Sequence, residues 1–147
     1  REITFWPGRC IVHETFSEEA VIELKIKYPE AEVIAHPECQ LNLLEHANYI
    51  GSTSKLLKRA ESSEAKSFIV LTEPGIIHQM QLKIPNKSFY EVPGIDGCSC
   101  NACPYMRLNT LEKLLNCLNN MEPKIEMEEE IRRKAYEPIK TMLSMSK

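Results

Sequence analysis

The stretch KSFIVLTEPGIIHQMQLKIP, residues 66–85, sets the reading of the fold. Phe68, Ile69, Val70 and Leu71 give the strongest strand signal of the chain, an apolar run rich in β-branched and aromatic residues. Thr72, Glu73 and Pro74 then start a helix, and Pro85 closes it. One strand followed directly by one helix is the repeating unit of a sheet wrapped in helices.

The same alternation recurs on both sides of this stretch. Upstream, RCIVHE (9–14) reads as the end of a buried strand, and SEEAVIELKIKYP (17–29) as a helix capped by Ser17 and stopped by Pro29. AEVIAHPEC (31–39) reads as a strand leading into His36, LNLLEHA (41–47) as a short helix, NYI (48–50) as a strand remnant, and GSTSKLLKRAESS (51–63) as a helix after Gly51. Downstream, SFYEV (88–92) is a further short strand. This order predicts an α/β fold, a small parallel sheet flanked by helices. In such sheets ligands bind beyond the carboxyl ends of the strands. Polar residues gather at those expected ends: Cys10 and His13, His36 and Glu38, Ser52 and Thr53, Thr72 and Glu73.

The chain then changes character. NTLEKLLNCLNNME (109–122) places Leu111, Leu114, Leu115 and Leu118 at helical spacing, with Asn109 or Thr110 as cap. EMEEEIRRKAYEPIKTMLSM (126–145) is a second helical segment, and Pro138 is expected to kink or split it. Ile131, Ala135, Ile139 and Leu143 form an apolar stripe along it that needs a partner.

Bulk properties bound the function. The chain has 147 residues, within the range of one domain, and 43% of them are hydrophobic, enough for an ordinary core. A net charge of −3 removes the electrostatic case for nucleic acid. No apolar run approaches the roughly 18 residues that span a membrane. With no secretory signal, a reducing, cytoplasmic setting is expected, where clustered cysteines serve as ligands or catalytic groups more often than as structural disulfides. The start, REITFWPGRC, reads as mid-protein sequence, and a fragment is expected.

Several clusters could carry chemistry. CSCNACPYM (98–106) holds three of the six cysteines. Cys100 and Cys103 form C-x-x-C, a spacing that lets two thiols share a metal or make a disulfide. A zinc knuckle would want a second Cys or His pair nearby, whereas proline after a cysteine also occurs in iron–sulfur loops; the plain alternative is a surface loop without a role. Cys10 can be a ligand or a small core residue. His36 and Glu38 flank a proline and can do acid–base work or hold a substrate, or simply form an exposed turn. Ser52 and Thr53, at a strand-to-helix junction, can bind an anion or merely cap the helix. Thr72 and Glu73 are explained by the helix start. His78 reads as a satisfied helix histidine, Cys39 as packing, and Met80, Met106, Met142 and Met145 as core.

Taken in order, Cys-x-x-His (10–13), His-Pro-Glu-Cys (36–39), Gly-Ser-Thr-Ser (51–54), Thr-Glu-x-Gly (72–75) and Cys-x-x-Cys-Pro-Tyr-Met-x-x-Asn-Thr-Leu (100–111) resemble quinolinate synthase, the iron–sulfur enzyme family of NAD biosynthesis. The resemblance extends to the tail, RRKAYEPIKTML (132–143). It implies a longer protein of three similar α/β domains around a pseudo-threefold axis. Residues 1–9 would end a preceding domain, 10–103 would be the third α/β domain, and 104–147 a helical tail packing on the missing first domain.

It further implies a [4Fe–4S] cluster held by Cys10, Cys103 and a third cysteine from the missing amino-terminal half, with one iron open as a Lewis acid. The family, a transferase, condenses iminoaspartate with dihydroxyacetone phosphate to quinolinate, phosphate and water, with L-aspartate oxidase as a source of iminoaspartate. By position, Glu38 would be the general acid–base group, His36 would position substrate oxygens, His13 would lie in the substrate pocket, and Ser52 and Thr53 would hold a substrate carboxylate. Cys100 and Cys103 would pair as a redox switch. The chain alone is expected to be inactive. The competing reading is an inactive fragment or subunit that binds a metal or a partner chain without catalysis.

Overall fold

The computed structural model describes Glu2, Thr4, residues 7–97 and residues 101–146. It divides into two compact units, Arg1–Met106 and Arg107–Lys147.

The first unit is built on four parallel strands, β1 (Glu32–Ala35), β2 (Tyr49–Ile50), β3 (Ser67–Leu71) and β4 (Ser88–Glu91), in the order β2-β1-β3-β4. The run Phe68–Leu71 takes an inner place, in register with Glu32–Ala35 on one side and with Phe89–Glu91 on the other through Phe68–Val70. Successive residues of a strand face opposite ways. Val33, Ala35, Ile69 and Leu71 therefore enter one core cluster, and Ile34, Phe68 and Val70 enter another. Both faces of the sheet are dry, which is why β3 reads as an unbroken apolar run.

Helices cover the two faces. On the first lie α1 (Ile11–Glu14), α2 (Glu18–Lys27) and α3 (Leu41–Glu45), which contribute Val12, Val21 and Leu43. On the second lie α4 (Thr53–Ser62) and α5 (Gly75–Lys83), which contribute Leu56, Ala60, Ile76, Ile77 and Met80. Ser17 caps α2 as expected, accepting from the Ala20 backbone N–H at 3.1 Å. Polar staples sit at the rim: Arg59 on α4 donates to Glu32 on β1 at 2.6 Å, and Ser63 donates to the other Glu32 oxygen at 2.7 Å.

RCIVHE departs from the strand expected for it. Residues Ile11–Glu14 are a single helical turn, closed by backbone bonds from His13 and Glu14 to the Cys10 carbonyl at 3.0 and 3.2 Å. Two adjacent apolar residues, Ile11 and Val12, carry no period, so strand and helix are indistinguishable there. Packing decides: the turn puts Val12 and His13 both inward, which an extended chain with its alternating sides could not.

Strand order positions the site. The chain leaves β1 toward β2 on one side, then crosses back to β3 and on to β4. The connections after β1 and β3 depart in opposite directions, through α3 on one face and α5 on the other. A crevice opens beyond the carboxyl ends of strands at such a switch point.

The second unit contains α6 (Leu111–Asn120) and α7 (Glu129–Met145). Thr110 caps α6, accepting from the Lys113 N–H at 3.2 Å, and Met121 ends it in the left-handed region at φ 54°. Pro138 does not split α7, which runs through it. Among the described residues neither helix buries a side chain. Leu111, Leu114, Leu115 and Leu118 are exposed, as are Ile131, Ile139 and Leu143. Of the methionines expected in the core only Met80 is there; Met106, Met142 and Met145 are exposed. No helix among the described residues is long and apolar enough to cross a membrane.

The two units should respond differently to truncation. Leu56→Ala, at a side chain with no exposure, should lower unfolding free energy by about 2–5 kcal/mol. Leu114→Ala, at an exposed side chain, should change it by no more than about 0.5 kcal/mol. Urea denaturation of both variants checks the contrast.

Candidate functional site

The carboxyl end of β1 carries the first part of the site. His36 continues the ladder, its N–H donating to the Leu71 carbonyl at 3.0 Å. Pro37 holds the preceding residue extended and ends the strand. A turn closes when the Cys39 N–H donates to the His36 carbonyl at 3.0 Å, leaving Glu38 exposed at its tip. The Glu38 N–H donates to His36 Nδ1 at 3.3 Å, so neutral His36 carries its proton on Nε2.

The turn of α1 brings the second part. His13 is 7% exposed, and its ring lies flat on that of His36, centroids 4.2 Å apart and planes 4° apart. His13 Nδ1 is 3.2 Å from Glu38 Oε2, and Nε2 is 3.4 Å from the Thr72 hydroxyl, itself buried at the end of β3. An ionised carboxylate only accepts, so Nδ1 carries the proton of the neutral ring and Nε2 accepts from Thr72. Burial pushes the His13 pKa below its ordinary value; His36 pushes the same way, against the hydrogen bond and charge of Glu38.

Cys10 completes the group. Its thiol, a ring nitrogen of His13 and a carboxylate oxygen of Glu38 all lie within 4.8 Å of one another. Cys10 and Glu38 also line one cavity of about 490 Å³, together with Arg9 and Gln40. Cys103 is half-buried against the same core cluster that Cys10 packs on. Both are half-buried free thiols, the donor type that zinc and iron–sulfur centres take. Cys98 and Cys100 lie outside the described residues, and with them the expected Cys100–Cys103 pair. Cys39 is packing: burial pushes its thiol up to about 12, and it donates to the Leu71 carbonyl at 3.5 Å.

Ser52 and Thr53 follow β2, the neighbour of β1, with Ile50 in register with Ala35. The Gly51 N–H donates to the Ala35 carbonyl at 3.0 Å. A Cβ on Gly51 would come within 2.9 Å of the Lys55 Cβ and 3.0 Å of the Tyr49 ring, so only glycine lets the chain turn this tightly into α4. Ser52 is the N-cap residue, yet its side chain makes no capping bond, and Ser52 and Thr53 are both exposed. The structure thus groups Cys10, His13, His36 and Glu38 at the crevice and sets Ser52 and Thr53 at the next strand end. Thr72, expected at a strand end but given no role beyond the helix start, is a further member of the group through its hydroxyl on His13.

Comparison with known proteins gives a consistent picture. The family described as quinolinate synthetase A protein matches residues 1–144. A quinolinate synthase of Prochlorococcus marinus (strain MIT 9313) is 69% identical over 99% of this chain and 44% of its own length. One of Trichodesmium erythraeum is 56% identical over 99% of the chain and 45% of its own length, and one of Cyanophora paradoxa 55% over 99% and 44%. The chain spans less than half the length of these curated relatives.

In the metal-free chain, NMR titration of the ring protons should place the His13 pKa below 6.5, and Glu38→Gln should lower it further by removing the groups that favour the charged ring. The unfolded chain takes this proton near pH 6.5 and the folded chain only at lower pH. His13 thus contributes stability above that pH, lost as pH falls through the folded-state value. A His13 that titrates at or above 6.5 would contradict the buried setting.

Proposed function

Because the chain belongs to the quinolinate synthetase A family, we propose that it is the carboxy-terminal part of a quinolinate synthase, a transferase of NAD biosynthesis. The complete protein would condense iminoaspartate with dihydroxyacetone phosphate to quinolinate, phosphate and water. The observation that supports this reading most is the grouping of His13, His36 and Glu38 with Cys10 at the crevice beyond β1 and β3.

Each side chain has a task suited to its setting. Glu38, exposed at the turn tip and held by His13, can take a proton from a substrate carbon and return it to a leaving hydroxyl. His36, with Nδ1 occupied by the Glu38 N–H, presents Nε2–H to a substrate oxygen. His13 stays neutral and orients Glu38. Ser52 and Thr53 add hydroxyls at the start of α4, where a substrate carboxylate is favoured by the helix dipole. Cys10 and Cys103 would hold a [4Fe–4S] cluster together with a cysteine outside this chain, and that cluster would supply a Lewis-acidic iron for a substrate oxygen.

Two measurements on the full-length enzyme test this. Glu38→Gln should reduce turnover by about 10²–10⁴-fold while leaving substrate binding in place; near-normal quinolinate formation would remove Glu38 from the acid–base role. Cys103→Ser should abolish the broad visible absorption of the reconstituted cluster, and its survival would reject Cys103 as a ligand.

A further inference from the structure

We propose that Asn101 is a positioning residue for Cys103: its buried carboxamide ties the cysteine loop to the carboxyl end of β4 and so holds Cys103 in one frame with Cys10. The inference rests on the reading of Cys10 and Cys103 as ligands of one cluster.

Three polar side chains are buried among the described residues: His13, Thr72 and Asn101. The first two serve the crevice. Asn101 stands two residues before Cys103, and it has no exposure at all. Its Nδ2 donates to the Val92 carbonyl at 2.8 Å and to Glu91 Oε1 at 3.3 Å. A carbonyl and an ionised carboxylate only accept, which fixes the nitrogen on that side. Oδ1 is buried too, and it has no partner among the described residues. A buried polar atom left unpaired costs stability, and an apolar side chain of similar size would avoid that cost. The amide is therefore used for where its donors hold the loop, not for the packing it supplies.

The anchor point is well chosen. Val92 is the first residue past β4, fully buried in the core cluster against which both Cys10 and Cys103 pack. The residues after it are bonded back to the exit of α1. The Ser17 N–H donates to the Pro93 carbonyl at 3.3 Å, the Ile95 N–H donates to the Thr15 carbonyl at 2.8 Å, and Phe16 and Gly94 form an antiparallel bridge between them. At the other end of α1, Cys10 is the N-cap residue, and its carbonyl closes the turn.

A short path of bonded backbone thus runs from Cys10 through α1 to Val92, and Asn101 carries it on to Cys103. Among the described residues, no other hydrogen bond joins residues 101–103 to this frame. A centre held by several thiolates needs them at fixed separations, and groups that orient ligands weigh on affinity in their own right.

The test uses the full-length enzyme and reads the loop with and without the cluster. In the metal-free protein, iodoacetamide labelling is followed peptide by peptide. Cys103 should be alkylated at least about threefold faster in Asn101→Ala, as one lost hydrogen bond implies, with the buried Cys39 unchanged. After anaerobic reconstitution, the same variant should retain its visible absorption against a chelator about 10–100-fold less well than wild type. Leu56→Ala, buried on the opposite face of the sheet, controls for general loosening and should match wild type in both readouts. If Asn101→Ala does not fold, Asn101→Ser, too short to reach the Val92 carbonyl, carries the test. Wild-type labelling of Cys103 in a folded variant, wild-type cluster retention, or an equal change in Leu56→Ala overturns the positioning role. Absorption that survives in Cys103→Ser would instead overturn the ligand reading, and the positioning role with it.

Discussion

Parallel pairing around β3 is the constraint on which the first unit depends. Phe68–Leu71 are fully buried, so their backbone groups must be bonded to neighbours and their side chains covered on both faces. Parallel neighbours cannot be reached by a hairpin, so the chain must return across a face after each strand. Every strand then ends on the same edge of the sheet. The polar residues that follow β1, β2 and β3 are delivered to that edge whatever else they do: His36 and Glu38, Ser52 and Thr53, and Thr72.

His13 joins that edge to the core. Its ring is part of the packing, stacked on His36 and close to Phe16, and it also spans two strand ends through Glu38 and Thr72. A buried hydroxyl left unpaired costs about 1–3 kcal/mol, so the Thr72 contact belongs to the stability of the unit as much as to its chemistry. The same burial that fixes the ring keeps it neutral, and a neutral imidazole can orient a carboxylate or bind a metal. Structure and chemistry here share one cause, the removal of an imidazole from water.

The second unit follows a different logic. Its helices are held by local devices: the Thr110 cap, and ion pairs one turn apart between Arg132 and Glu129 and between Lys134 and Glu130. Such exposed pairs contribute little, because water and salt screen them. The large apolar side chains of α6 and α7, by contrast, remain exposed, and none of them is buried.

What the sequence determined by itself was the alternation, because each strand and helix here is bounded by local chemistry. Ser17 and Thr110 cap their helices, Pro74 and Pro85 frame α5, and Phe68–Leu71 has no helical alternative at its length. Motif order was equally legible and carried the family resemblance, since Cys10, His13, His36, Glu38, Ser52 and Thr53 are fixed by spacing along the chain. Tertiary structure decided the rest. Ile11 and Val12 are too few to show a period, so the turn of α1 appears only when Val12 is placed in the core. Pro138 does not split α7, because a helix can run on past one lost backbone bond. Thr72 reads from sequence as a strand end and helix start, but its partner does not, because nothing local tells which strand lies beside β3; strand order is a long-range choice, settled by which faces must be covered. Only that order puts the Thr72 hydroxyl against His13, 59 residues away in the chain.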